Sequence, residues 1–320
     1  MQPRARSRTI VTVCSHGPGA VVAGAGANES PRRGRTIRPM SAVRRNNVRE
    51  YGDPGAQPLV FAHGFGCDQN MWRHVGRAFE DRYRVVMFDH VGSGGSDNAA
   101  FSPDRYDLHG YARDVVEICG ELGLREAVFV GHSVSSMIGA LVAKQRPDLL
   151  AHLVMIGPSP RYIDDPSTGY HGGFTPPDID GLLESLDSNY LGWSADMAPL
   201  IMGRPDRPEL GQELTNSFCR SDPAIARHFA RVTFLADNRN DLGDVQVPTL
   251  VMQCSDDIIA PPDVGRFVHE HLPNSVMVTM SARGHCPNLS APDETVAVIS
   301  DYLNHHSFAS RRARGAPPGP

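Results

Sequence analysis

A serine at position 133 stands where its hydroxyl can act as a nucleophile. The apolar residues 127–130 predict a buried strand, and Gly131 and His132 separate that strand from Ser133. A segment of small, helix-compatible residues follows. A Gly-x-Ser turn between a strand and a helix presents one hydroxyl at the top of a sheet. The stretch therefore predicts a nucleophilic serine, although Ser135 occupies a position where glycine is usual.

Two later loops contain candidates for the base and the acid that a serine nucleophile requires, because the hydroxyl attacks only when a base accepts its proton. His285 follows the last predicted strand, and the pair Asp256 and Asp257 follows the strand before it. Serine, aspartate and histidine in this chain order are typical of one catalytic arrangement. Either aspartate can supply the acid, and one of them can instead cap the helix near Pro261. We expect Asp257 to orient His285, since it lies four residues before Pro261.

The same chemistry requires two backbone N–H groups that bind the oxyanion formed during attack. Val134, the residue after the predicted nucleophile, is expected to supply one of them. The loop at residues 63–66 follows a predicted strand and places glycines on both sides of Phe65. We therefore predict that the Phe65 N–H is the second donor. No cluster of His, Cys and Asp residues has the spacing of metal ligands, and the chemistry needs no cofactor.

Apolar runs alternate with helical patterns along most of the chain, which predicts an α/β fold. Because each strand is a short apolar run, we expect a mostly parallel central sheet with helices on both faces. The predicted strands lie at residues 48–51, 58–62, 83–88, 127–130, 153–156, 248–253 and 275–280. The segment 162–244 lacks such runs and contains helical patterns only, which predicts an all-helical cap over the carboxyl ends of the strands. Its predicted helices lie at residues 176–186, 188–202, 208–219 and 222–236. Outside this segment, a short helix is predicted around residues 71–79, after the loop that contains Phe65.

The 320 residues, the mean hydropathy of −0.30 and the net charge of −5 are typical of a globular protein with a sizeable core. Residues 1–49 carry ten arginines and one acidic residue, so the rest of the chain is acidic. An acidic body argues against nucleic acid as a partner, and the basic arm is expected to be solvated. No apolar window approaches the roughly 18 residues of a membrane helix, so we expect no membrane partner.

The two ends of the chain and the cysteines indicate where the protein functions. Residues 1–40 and 306–320 are rich in Arg, Gly and Pro and are predicted to be disordered. A secretory signal is disfavoured because His16, Gly17 and Pro18 interrupt the apolar stretch, and Met40 is a candidate start. Six scattered cysteines predict free thiols in a reducing compartment. We therefore expect a cytoplasmic protein, either a monomer or a dimer.

Strings spread over residues 45–304 resemble one branch of the α/β-hydrolase superfamily. That branch contains the RsbQ-type bacterial hydrolases required for energy-stress activation of sigma-B, together with the plant strigolactone and karrikin receptors. The plant receptors are similar to this chain at Ser135, which makes the missing glycine a feature of the branch. The resembling strings are FGCDQ at 65–69, DHVGSG at 89–94, GHSVS at 131–135, VMIGPSP at 154–160, NYLGW at 189–193, DPAIAR at 222–227, QCSDDIIAP at 253–261 and ARGHCP at 282–287.

The resemblance implies an α/β-hydrolase fold with a triad of Ser133, Asp257 and His285, and an oxyanion hole made by Phe65 and Val134. It also implies a deep, mostly apolar pocket under four cap helices. Met197 departs from the phenylalanine usual in the plant receptors, so the pocket and its ligand need not match theirs. By family position, the pocket is expected to be lined by Phe65, His132, Tyr162, Trp193, Met197 and Phe234.

These expectations divide the chain into a basic extension at 1–40, a hydrolase core at 41–161, a cap at 162–244, the second part of the core at 245–305 and a tail at 306–320. They predict a serine hydrolase that cleaves a small hydrophobic ester or lactone through an acyl-enzyme. The alternative is a ligand-sensing signalling protein with slow hydrolysis and a protein partner, and the sequence does not separate the two. A perhydrolase or a C–C bond hydrolase using the same triad is a third interpretation. Epoxide hydrolase and dehalogenase functions are disfavoured, because the turn carries serine rather than aspartate.

Overall fold

The computed structural model describes residues 40–306. Apart from Met40 and His306, the predicted disordered ends lie outside the described residues. Within that range seven strands form one sheet in the order β1-β3-β2-β4-β5-β6-β7, parallel except for β1, which pairs antiparallel with β3. The strands are β1 (Arg49–Tyr51), β2 (Pro58–Ala62), β3 (Arg84–Phe88), β4 (Ala127–His132), β5 (Leu150–Ile156), β6 (Thr249–Asp256) and β7 (Ser275–Arg283).

Helices cover both faces of this sheet, which confirms the predicted α/β-hydrolase architecture. Successive residues of β4 belong to two different apolar clusters: Val128 and Val130 to one, Ala127 and Phe129 to the other. This period of two is what a strand buried on both faces requires. Among the described residues no helix is long and apolar enough to cross a membrane. The helices are α1 (Ala42–Arg45), α2 (Leu108–Leu122), α3 (Val134–Gln145), α4 (Pro176–Ser188), α5 (Tyr190–Met202), α6 (Pro208–Arg220), α7 (Pro223–Phe234), α8 (Pro262–His271), α9 (Pro287–Ser290) and α10 (Pro292–His306).

Helices α4 to α7 lie between β5 and β6 in the chain, inside the range predicted for the cap. Three of these four helices start at a capping side chain. The Thr175 side chain accepts from the Asp178 N–H in a capping box, and Asp222 caps the first turn of α7. Asn189 separates α4 from α5 by capping the latter. Most buried apolar residues of these helices join the same cluster as Val128 and Val130, whereas Phe229 of α7 joins the other, so the cap packs against the core.

One predicted helix is interrupted and two short helices were missed. The segment around residues 71–79 forms two 3-10 turns, Gln69–Trp72 and Gly76–Phe79. The Met87 side chain occupies the space that a Cβ would need at Gly76, so this segment packs closely onto β3. The missed helices α1 and α9 contain four residues each. Such single turns are too short to show helical periodicity in a sequence.

Candidate active site

The chain turns sharply between β4 and α3, and Ser133 occupies the turn. Its backbone has φ 56° and ψ −124°, a region that side-chain-bearing residues rarely adopt. A Cβ on Gly131 would lie 2.3 Å from the Ser135 carbonyl oxygen. The position that must be glycine in this turn is therefore 131, while position 135 accepts a serine whose side chain is fully buried.

Three polar side chains meet at the carboxyl ends of the strands. The Ser133 Oγ lies 2.8 Å from His285 Nε2, and His285 Nδ1 lies 2.7 Å from Asp257 Oδ2. All three side chains are buried. The carboxyl ends of β4, β6 and β7 share one edge of the sheet because the strands are parallel. In this arrangement the imidazole can take the serine proton while the carboxylate stabilises the resulting cation.

The neighbouring aspartates occupy different environments. Asp257 Oδ1 accepts the N–H groups of Ile259 and Ala260 at 2.8 and 3.0 Å. Burial alone would raise the pKa of Asp257, but the charge of His285 and these hydrogen bonds keep that pKa below its ordinary value. Asp256 is exposed and pairs with Arg283 at 2.6 Å. Of the two candidates, the structure places Asp257 beside the imidazole.

The cap contacts the loop that carries His285. The His285 N–H donates to the carbonyl of Ile201 in α5 at 2.8 Å, and the Gly284 N–H donates to the Asp256 carbonyl at 2.7 Å. Gly284 has φ 78°, and a Cβ there would lie 2.0 Å from the Met202 carbonyl oxygen. The glycine before the histidine therefore permits close contact with the end of a cap helix. The sequence indicated this glycine without showing its partner.

Of the two donors predicted for the oxyanion hole, Val134 follows Ser133 directly and Phe65 lines the same cavity as Ser133. Val134 is the first residue of α3, so its N–H has no acceptor within the helix. The positive end of the helix dipole adds to its attraction for an oxyanion. Within the described part of the chain, the Phe65 N–H has no hydrogen-bond partner. The Phe65 ring packs against cap aromatics, with its centroid 6.2 Å from Trp193 and 5.7 Å from Phe218.

A cavity lies between the cap and Ser133, with about 500 Å³ of empty space when its solvent-open part is included. Its wall includes Ser133 and His285 together with the six residues expected from the family resemblance: Phe65, His132, Tyr162, Trp193, Met197 and Phe234. It also includes cap residues that sequence reasoning missed: Leu182, Ile201, Leu214 and Phe218. The apolar stripes of the cap helices contain these four residues, but a stripe does not tell whether it faces a cavity or a packed core.

The cavity wall carries no Arg, Lys, Asp or Glu among the described residues. Cys67 and Cys286 line it, and burial raises the pKa of both thiols. These thiols stay protonated at neutral pH, so neither competes with Ser133 as a nucleophile. Burial also raises the pKa of Tyr162, and a hydrogen bond with Ser133 opposes that rise. The cavity is therefore uncharged, with its polar groups concentrated around Ser133.

His132 joins the serine turn to the histidine loop. Its Nε2 lies 2.7 Å from the His285 carbonyl oxygen, so this nitrogen carries the proton and donates. Nδ1 has no partner within the described residues and faces Gly64, where a Cβ would lie 2.6 Å away. Burial, followed by the nearby His285, lowers the pKa of His132 to about 3. The ring is therefore neutral at physiological pH.

Comparisons with known proteins agree with this geometry. Residues 59–298 match the family described as the alpha/beta hydrolase family. The chain is 38% identical over 262 residues to karrikin insensitive 2 receptor CA of Petunia hybrida. The aligned region covers 81% of this chain and 96% of that protein. It is 38% identical over 259 residues to strigolactone esterase D14 of Arabidopsis thaliana, with 80% and 96% covered.

Among solved structures, a hydrolase from Oleispira antarctica superposes with a TM-score of 0.79 at 40% identity. The superposition covers 82% of this chain and 96% of the other. The similarity therefore extends over nearly the whole length of each relative and includes the cap. The predicted resemblance to hydrolases and plant receptors is confirmed.

Acid should destabilise the folded chain through His132. The unfolded histidine binds a proton below about pH 6.5, whereas the folded one does so only near 3. Stability should therefore fall as the pH drops from about 6.5 towards 3, by about 1.4 kcal/mol per pH unit for this residue. The free energy of unfolding can be measured in urea at pH 7 and at pH 5. Between these two values it should fall by on the order of 1–2 kcal/mol less in His132→Gln than in wild type. An identical loss in both proteins would contradict this assignment.

Proposed function

Because the chain belongs to the alpha/beta hydrolase family, we propose that it is a serine hydrolase acting on a small, uncharged, hydrophobic ester or lactone. The observation that carries the proposal is the continuous hydrogen-bond chain from Ser133 through His285 to Asp257 at the wall of an uncharged cavity. A serine positioned in this way is activated by its base at neutral pH. The esterase name of the Arabidopsis relative supports the same reaction class.

In the proposed reaction Ser133 attacks the carbonyl carbon while His285 accepts the hydroxyl proton. Asp257 holds the imidazole in the required tautomer and stabilises its cation. The N–H groups of Phe65 and Val134 bind the oxyanion that forms. His285 then returns the proton to the leaving alcohol, which leaves an acyl group on Ser133. A water molecule, deprotonated by the same imidazole, hydrolyses this ester and restores the free serine.

The substrate class follows from the cavity. The space between the cap and Ser133 is small, since it amounts to about 500 Å³ even when its solvent-open part is included. A wall without charged side chains offers no partner to an ionised substrate, whose desolvation would remain uncompensated. Apolar side chains from the cap and the core favour a hydrocarbon acyl or alcohol group. We therefore expect neutral esters or lactones of modest size.

The second candidate function is a ligand sensor in which hydrolysis is slow and a protein partner responds to the cap. Two contacts favour it. The Ile201 carbonyl of the cap accepts the His285 N–H, and the Phe218 ring fills the space beside Gly66, where a Cβ would lie 1.7 Å from it. A ligand that shifts the cap would therefore move both catalytic loops. Multiple turnovers with several esters favour the enzyme, whereas one slow turnover with ligand-dependent binding of a partner favours the sensor.

Labelling with a fluorophosphonate probe tests the nucleophile. Wild type should form a covalent adduct, and Ser133→Ala should form none, since the attacking hydroxyl is gone. Ser136→Ala is the matched control, because Ser136 is also a buried serine, lies three residues later in α3, and donates its hydroxyl to the Gly131 carbonyl rather than to His285. The control should label as wild type does. Labelling of Ser133→Ala at the wild-type rate would contradict the proposal that Ser133 is the nucleophile.

A pair of matched esters tests the uncharged cavity. The p-nitrophenyl esters of butyric and succinic acid have acyl chains of similar length, but the second carries a carboxylate. We expect kcat/KM for the succinyl ester to be lower by about 100-fold, because its charge must be desolvated without a partner. Steady-state hydrolysis at pH 7.5 measures the ratio. Equal values for the two esters would refute the predicted substrate class.

A further inference from the structure

We propose that Ser135 and His90 are positioning residues that fix the spacing between the two N–H donors of the oxyanion hole through a buried hydrogen-bond chain. The inference rests on the proposed function, since the hole belongs to that reaction. It concerns the serine that stands where glycine is usual in the turn. The hydroxyl at this position forms hydrogen bonds with His63 and His90.

The chain of hydrogen bonds runs from the turn to the loop after β3 and the loop after β2. The Ser135 Oγ lies 2.5 Å from the His63 carbonyl oxygen and 2.8 Å from His90 Nε2. The His90 backbone N–H lies 3.0 Å from His63 Nε2. The His63 Nδ1 in turn lies 2.8 Å from the Gly64 carbonyl oxygen. These four bonds connect the first turn of α3 to the loops after β2 and β3 at one edge of the sheet.

Only one assignment of protons satisfies all four bonds. A carbonyl oxygen only accepts, so the Ser135 hydroxyl donates to His63 and must itself accept from the protonated Nε2 of His90. The His90 backbone N–H donates to His63 Nε2, so the proton of His63 is on Nδ1 and reaches the Gly64 carbonyl. The His63 imidazole is therefore neutral, and the donor and the acceptor are fixed in each of the four bonds.

Burial makes this chain rigid. Ser135, His63 and His90 are all fully buried, and a lost partner in such a place leaves a polar group without water to replace it. Burial, followed by the nearby His63, lowers the pKa of His90 well below its ordinary value, so its ring stays neutral. Aromatic rings hold the orientation of that ring from several sides; they belong to His63, Phe88, Tyr111 and Phe229.

The bonded atoms lie next to the two donors of the hole. Ser135 follows Val134 directly in the first turn of α3, and His63 precedes Phe65 by two residues. The bond between Ser135 and His63 therefore connects the backbone carrying one donor to the backbone carrying the other. An oxyanion is stabilised only by donors at hydrogen-bond distance from its final position. A shift of the loop by a fraction of an ångström would weaken the Phe65 contact.

The pair does not take part in the chemistry directly. Neither Ser135 nor His90 lines the cavity that contains Ser133, so this second Ser–His contact does not reach a substrate. Its effect must pass through the backbone of residues 63–65. That route predicts a loss of transition-state stabilisation with unchanged substrate binding, because the oxyanion exists only after attack.

The first test compares Ser135→Ala with Ser136→Ala. The Ser136 side chain is equally buried one residue later, but it donates to Gly131 at 2.9 Å and does not contact the loop at 63–65. On a p-nitrophenyl ester, Ser135→Ala should lower kcat by about 10- to 100-fold, part of the effect of losing a hole donor. Its KM should stay within about twofold, and the pKa of the acid limb of its pH–rate profile should not move, since His285 is untouched. Ser136→Ala should keep the wild-type kcat.

The second test uses His90, where Gln can preserve the donor and Phe cannot. His90→Gln should retain most of kcat, whereas His90→Phe should resemble Ser135→Ala. The affinity for a trifluoromethyl ketone, which forms an oxyanion adduct on the serine, should fall in parallel with kcat/KM across these variants. A thermal unfolding midpoint well above the assay temperature for each variant verifies that folded proteins are being compared.

The outcomes separate this inference from the proposed function. If wild type reacts with the fluorophosphonate and Ser135→Ala keeps its kcat within twofold, the positioning role is wrong and the hydrolase function stands. An equal loss of kcat in Ser135→Ala and Ser136→Ala would also overturn the role, because it would indicate a general packing effect. If wild type reacts with neither the probe nor any ester, the proposed function fails and the inference fails with it.

Discussion

The sharp turn at Ser133 is the constraint on which the rest of the site depends. A side-chain-bearing residue with φ 56° and ψ −124° is strained, and it persists only because the surrounding structure holds it. Gly131 lets α3 pass within contact distance of β4, and the Ser133 N–H bonds to the Ile156 carbonyl on the neighbouring strand at 2.8 Å. The parallel sheet brings His285 and Asp257 to the same edge. The turn, the strand order and the two loops together orient one hydroxyl towards one imidazole.

The cap connects to this centre through backbone contacts as well as through the cavity wall. The end of α5 bonds to the histidine loop at Ile201, and α6 places Phe218 against Gly66 beside the Phe65 donor. Under the proposed function, a cavity with an uncharged wall admits neutral, apolar molecules and leaves their polar group to the residues around Ser133. The same contacts make the geometry of the catalytic loops sensitive to the position of the cap. An enzyme and a ligand sensor can therefore be built from one arrangement.

Much of the fold and the candidate site could be predicted from the sequence. Apolar runs of strand length, helical stripes and capping residues such as Asp222 are local signals, so the strands and the four cap helices lie within a few residues of their predicted bounds. The helix expected near residues 71–79 forms only as two 3-10 turns. Asp256 and Asp257 have the same chemistry and adjacent positions. Their separation into a surface ion pair and a histidine partner depends on which way each side chain points after β6.

By itself the sequence determined the α/β fold, the order of serine, aspartate and histidine, and the glycines that permit tight turns. These are properties of residue type and spacing, and they hold wherever the segments lie in space. Only the tertiary structure decided which residues that are distant in the sequence form hydrogen bonds with each other. The bond of His132 to the His285 carbonyl and that of Ser135 to the His63 carbonyl join segments far apart in sequence. Neither leaves a local pattern, since a buried hydroxyl or imidazole finds its acceptor only when packing brings the two together.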